Sequence, residues 1–192
     1  MDPQTVLDFW FLPKGSEGYG MPRTAWFGKD PQLDDLIGRR FGAQIELALA
    51  GALRHWDWTG QEGVLARILL LDQFTRNAGR GTPAAFAGDA LALEAAHQLV
   101  ATGADRLLLP VQRWFAYMPF EHAEDLALQN QSVALFEQLS ASGPGLDGVL
   151  DFARRHRDVI ARFARFPQRN GILGRASSPE EAAYLSLPGS GF

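Results

Sequence analysis

Apolar residues along this chain of 192 residues recur at helical spacing, and the period-two alternation of strands is nearly absent. Asp2-Pro3 supplies an N-cap and a proline for the first helical position, opening a short helix through Trp10 and Phe11. Pro13, Gly15, Gly18, Gly20 and Pro22 then mark a mobile loop. Ile37, Phe41, Ile45, Ala48 and Ala52 share one face and predict an amphipathic helix over about 32–53, with Trp56 and Trp58 in the turn that follows. A strongly apolar helix is predicted over 63–77. Thr82-Pro83 restarts the chain as N-cap and first residue of another, with Phe86, Ala90, Leu93 and Val100 on one face. Pro110 and Pro119 punctuate the next region, giving a short helix at 113–117, a longer one over 119–140 and another over 146–163. Ser178-Pro179-Glu180-Glu181 caps a last short helix.

Polar residues interrupt these stripes. Asp72 and Arg76 continue the row of Leu65, Ile68 and Leu69, so a buried Asp72 needs a cation, and Arg76 one turn away is the nearest. A structural ion pair accounts for this as well as a site does. On the predicted 119–140 helix, His122, Asp125 and Gln129 share a face with Leu126, Val133 and Phe136, while Glu121 and Glu124 fall in the first turn, where the helix dipole favours acids. A histidine with a carboxylate three residues on is suited to general acid/base work or to part of a metal site. His156 interrupts the stripe of Val149, Phe152, Ala153, Ile160 and Phe163. Asp72, His122 and His156 are therefore expected to be mostly buried.

At 46% hydrophobic residues the chain is long enough for one well-buried core, and a single domain over 1–192 is expected. The formal charge of −4 argues against a general nucleic-acid or anionic-membrane binder. The distribution is less even: 151–175 holds seven arginines against Asp151 and Asp158. The absence of cysteine excludes disulfides, thiol nucleophiles and cysteine-ligated zinc, and fits a reducing cytosol. The N-terminus lacks a basic leader, and no apolar run approaches the ~18 residues of a membrane span, so a cytoplasmic protein is expected.

Arg165-Phe166-Pro167-Gln168-Arg169-Asn170-Gly171-Ile172-Leu173-Gly174-Arg175 sets three arginines and an asparagine among prolines, glycines and large apolar residues. Guanidinium groups fixed beside a core need anionic partners, either internal acids or a ligand. This string, with Leu71-Asp72-Gln73-Phe74-Thr75-Arg76-Asn77 and Pro119-Phe120-Glu121-His122-Ala123-Glu124-Asp125, resembles the DUF924 family, whose function is uncharacterised. The resemblance spans nearly the whole chain. It implies an all-α fold of stacked helical hairpins similar to tetratricopeptide (TPR) stacks, although no 34-residue repeat occurs. It also gathers Asp72, Gln73, Arg76, Asn77, Arg80, Arg113, Glu121, His122, Glu124, His156, Arg165, Arg169, Asn170 and Arg175 into its recurrent motifs. The chain departs from the family pattern at Thr75, Ala123, Ala164 and Gln168, where proline, serine, glycine and histidine are usual.

Three readings follow. In the first, Asp72, Arg76, Asn77, Arg113, Arg165, Arg169, Asn170 and Arg175 line a pocket for a small phosphorylated or carboxylated molecule, and His122, with Glu121 or His156, transfers protons. In the second, a TPR-like stack clamps an acidic peptide or a carboxylate terminus. In the third, His122, His156 and nearby acids bind a hydrolytic metal, although no HExxH or comparable pair occurs. The sequence names no cofactor. Against all three stands a buried network of arginines and acids whose only role is to fix the fold.

Overall fold

A computed structural model describes residues 1–143, 145–146 and 148–190, leaving Pro144, Asp147 of the predicted 146–163 helix and the last two residues outside the described residues. Among the described residues the chain is all-helical, with no strand and no helix long and apolar enough to cross a membrane. Helix α1 (Pro3–Phe11) starts where the sequence places it: Asp2 accepts the Thr5 N–H at 2.9 Å, and the helix buries Val6, Leu7, Trp10 and Phe11. The glycine-rich loop that follows is tied down at its far end. Arg23 donates to the Phe9 carbonyl at 3.0 Å, and the Trp26 indole donates to that of Trp10, also at 3.0 Å.

Helix α2 (Pro31–Leu49) is capped by Asp30 and ends four residues earlier than predicted, because Gly51 turns the chain with φ 74°. Helix α3 (Gln61–Leu69), a π turn (Leu70–Phe74) and helix α4 (Thr75–Ala78) run on without a break, as the predicted 63–77 helix. The π turn inserts one residue's worth of slack and carries Asp72 fully into the interior. Thr75 closes this segment by donating its hydroxyl to the Leu71 carbonyl at 2.7 Å.

Two predicted helices begin elsewhere. Pro83–Phe86 is a 3-10 turn, and helix α5 (Asp89–Ala101) starts only after Gly88. A Cβ on Gly88 would collide with the Leu71 carbonyl oxygen, so the chain crosses the π turn backbone to backbone there, which a helix through 82–100 would prevent. The buried face of α5 is Ala92, Ala95, Ala96 and Leu99, whereas Phe86, Leu93 and Val100 are only half-buried and Ala90 is exposed. Helix α6 (Pro110–Glu121) contains Pro119 in its last turn instead of stopping before it. Burial of Phe115, Tyr117 and Phe120 outweighs the lost backbone bond so near a helix end.

Helix α7 (Leu126–Ser140) is capped by Asp125, and α8 (Val149–Phe163) ends on Ala164 with φ 57°. After a 3-10 turn (Pro167–Arg169), α9 (Pro179–Leu185) opens with the expected capping box of Ser178 and Glu181. Helices α6, α7 and α8 pack in succession, while α3 lies against α1, α5 and α6. One core runs through α1 to α8, and a small satellite of Val159, Ile160 and Phe166 lies under α9.

Candidate functional site

The break between α6 and α7 changes the geometry expected for His122. His122 is the C-cap of α6 and Asp125 the N-cap of α7, so the two do not share a helix face. Nor do Glu121 and Glu124 sit in a first helical turn. Glu121 is in the last turn of α6 and is buried. Gln129 holds this corner by donating to the carbonyls of Glu121 and Ala123, each at 2.7 Å.

The partner of His122 comes instead from the π turn, fifty residues away: its Nδ1 lies 2.7 Å from Asp72 Oδ1. Asp72 also meets Arg76 Nη1 at 2.9 Å and accepts from the Gln73 amide at 2.6 Å. Burial pushes the Asp72 carboxyl up, but Arg76 and His122 outweigh it and hold it well below the usual carboxylate range. An ionised Asp72 accepts, so His122 Nδ1 carries the hydrogen and Nε2 keeps its lone pair. Among the described residues Nε2 has no hydrogen-bond partner, and the side chain is 11% exposed. Burial, reinforced by Arg76, pulls the His122 imidazole below its ordinary value despite Asp72.

Asp89, at the start of α5, ties two arginines together. Its carboxylate oxygens meet Arg76 Nη1 at 2.8 Å and Arg169 Nη1 at 3.1 Å. Arg169 donates its other terminal nitrogen to the His122 carbonyl at 2.9 Å and lies between the rings of Phe86 and Phe166, 4.7 and 4.6 Å from their centroids. Burial and the neighbouring Arg76 lower the Arg169 guanidinium to about 10. Arg76 Nη2 is buried without an acceptor among the described residues. His156, on α8, has its ring 6.3 Å from that of His122. Its Nδ1 lies 2.9 Å from the Phe152 carbonyl and 3.0 Å from Glu121 Oε1. Burial draws His156 down to about 3 and, with Asp72 nearby, drives Glu121 up to about 8.

A family model described as a bacterial protein of unknown function (DUF924) matches residues 6–189. The chain belongs to the DUF924 family. A solved structure, the protein of unknown function ATU0120 from Agrobacterium tumefaciens, is similar to it over 96% of each chain, with 38% sequence identity and a TM-score of 0.82. Comparison with curated proteins returns no match.

In this DUF924 chain the three motifs meet, but as two linked networks. Asp72, Arg76, Glu121, His122, His156 and Arg169 form the central cluster. The other network is a clamp on the 165–175 loop. Arg165 makes paired bonds to Glu181 at 2.6 and 2.8 Å, and Arg175 makes paired bonds to Glu124 at 2.6 and 2.9 Å. Asn170 joins them, accepting from Arg175 at 2.9 Å and donating to Ser177 at 3.0 Å. Asn77 and Arg80 turn away to Asp34, and Arg113 donates to the Tyr117 hydroxyl, which donates to Asp105. Among the described residues, no three His, Asp or Glu side chains gather closely enough to hold a metal ion.

Asp89 and Phe86 were not singled out by sequence reasoning. Asp89 fell within the helix predicted from Thr82-Pro83, as one more polar position on it, and Phe86 fitted an apolar stripe, so neither carried a separate signal. Two open grooves lie elsewhere, one of about 300 Å³ between α8 and α9 and one of about 550 Å³ between α2 and α4, and His122 lines neither.

Proposed function

We propose that the central cluster binds a small phosphorylated or carboxylated molecule, with Arg76 and Arg169 supplying positive charge and His122 Nε2 accepting a proton from the bound molecule. What carries the reading is the unpartnered Nε2 of an imidazole that Asp72 orients through Nδ1. Asp72 plays the orienting part of a base dyad: it fixes the tautomer and stabilises the imidazolium once the proton has moved. Beside it, the buried Arg76 Nη2 has no acceptor among the described residues, and an anionic oxygen can provide one. Glu121 and His156 stand behind His122 as further titratable groups. The small exposed area of His122 limits the ligand to one that reaches Nε2 from the surface.

The acidic-peptide reading needs arginines free to clamp, whereas Arg165 and Arg175 each close on an internal acid. A thermal-shift screen of phosphorylated and carboxylated metabolites, run on the wild type and on His122→Gln, tests the proposal. A ligand should raise the melting temperature of the wild type and move the His122 titration to higher pH by NMR, and both responses should vanish in His122→Gln. An equal response from the variant would place the binding elsewhere.

A further inference from the structure

Every acid named so far in the central cluster and the clamp meets a guanidinium, with one exception. Asp72 and Asp89 pair with Arg76, Glu124 with Arg175 and Glu181 with Arg165. Glu121 does not. Among the described residues its carboxyl meets only the imidazole of His156, at 3.0 Å, and its side chain is 5% exposed. The Phe152 carbonyl facing His156 Nδ1 requires a hydrogen on that nitrogen, so the ring presents an N–H to Glu121, and burial disfavours the charged imidazolium. A carboxylate here would be buried without a cation, with Asp72 as the ionised neighbour that bears on it. The titratable and charged groups that bear on His156 include His122, Arg169 and Arg155.

We infer that Glu121 is an electrostatic gate: the cluster accepts an anion only while this carboxyl carries its proton. The inference rests on the anion reading of His122, Arg76 and Arg169. With Glu121 neutral, the two arginines balance Asp72 and Asp89, and proton uptake at His122 offsets an incoming anion. With Glu121 ionised, the cluster is negative before the ligand arrives. Burial and Asp72 drive Glu121 up to about 8, so the gate is open at neutral pH and closes on the alkaline side.

Sulfate tests this, because it keeps its charge across the neutral and alkaline range. Calorimetric titration should show that, above about pH 8, wild-type affinity falls about tenfold more per pH unit than that of Glu121→Gln, whose amide stands in for the protonated acid. Parallel pH profiles for the two proteins would overturn the gate and leave the anion reading standing. No sulfate binding by either protein in mildly acidic buffer would overturn both. If Glu121→Gln does not fold, carbon-detected NMR of the wild type decides: sulfate must raise the titration midpoint of Glu121, by reciprocity of the two equilibria. An unmoved midpoint sinks the gate.

Discussion

The clamp and the central cluster are built from the same side chains and differ in how completely those side chains are satisfied. In the clamp, Arg165 and Arg175 each form paired bonds with one carboxylate, and Asn170 and the Phe166 backbone use the remaining capacity. Its carboxyl groups shift only in the sense that ion pairing predicts: Arg165 and the Ser178 N–H hold Glu181 down to about 2. In the central cluster two arginines share Asp89, Arg76 Nη2 and His122 Nε2 lack partners among the described residues, and Arg169, Glu121 and His156 are displaced away from their charged forms. Arginine and acid in a motif therefore do not separate a scaffold from a site. Saturation does, and a site is where stability has been given up.

Removing one cation from each region should break the comparison most visibly. Arg175→Met strips Glu124 of its guanidinium and leaves it only the Phe166 N–H, in a setting where both side chains are about three-quarters buried. We expect a loss of roughly 2–3 kcal/mol, discounted for exposure from the value for a fully buried pair. Arg169→Met should behave differently. Its linear side chain still fits between Phe86 and Phe166, Asp89 keeps Arg76, and removal of a guanidinium already lowered to about 10 relieves its repulsion with Arg76. Urea denaturation should place this variant within about 0.5 kcal/mol of the wild type or above it, with the anion response gone. Equal losses in both variants would make the central cluster a second clamp.

The pH dependence of stability should sharpen the contrast next. Glu121 is raised from its ordinary 4.5, so its contribution is complete below that value and lost as pH rises to about 8. His156 is lowered from 6.5, so its contribution is complete above 6.5 and lost as pH falls to about 3; His122, held down by burial, adds to the acid-side loss. Stability should peak near pH 6.5 and drop by about 2 kcal/mol by pH 8, at about 1.4 kcal/mol per unit. Glu121→Gln should abolish the alkaline drop. The clamp contributes in the opposite range: Glu181, lowered from 4.5 to about 2, is stabilising above 4.5 and loses that contribution only as pH falls through about 2. Denaturant midpoints of the wild type and variant across this range check both arms, and a flat alkaline arm in the wild type would show Glu121 already ionised at neutrality.

Much of the frame was legible in sequence because it rests on local rules. Asp2 and Ser178 cap helices beside prolines, and the pairing of Asp72 with Arg76 followed from one turn of helix and the penalty for a buried lone charge. What local rules could not reach were contacts fixed by tertiary packing. Pro119 reads as a start, yet the apolar side chains around it hold it inside α6. That displaced His122 from the helix on which Asp125 seemed its partner, and the π turn delivered Asp72 instead. Gly88 falls inside the helix that the sequence predicts from Thr82-Pro83, and only its approach to Leu71 explains why Asp89 stands at a helix start where two arginines converge.

The smallest effect tests whether the clamp is tight enough to carry strain. Ala164 ends α8 with φ 57°, a left-handed conformation that glycine adopts without a Cβ penalty and that alanine adopts at a cost. It immediately precedes Arg165, whose paired bonds to Glu181 fix the direction in which the chain leaves the helix. Ala164→Gly removes the strain but gives the unfolded chain more freedom, so the two effects oppose each other. Because an alanine at positive φ costs roughly 1 kcal/mol and the entropy of glycine offsets part of it, a net gain of about 0.5 kcal/mol is expected. The anion response should be unchanged, since Ala164 contributes no group to the central cluster. A loss of stability in urea would mean that the clamp does not enforce the left-handed turn and that the chain relaxes around it.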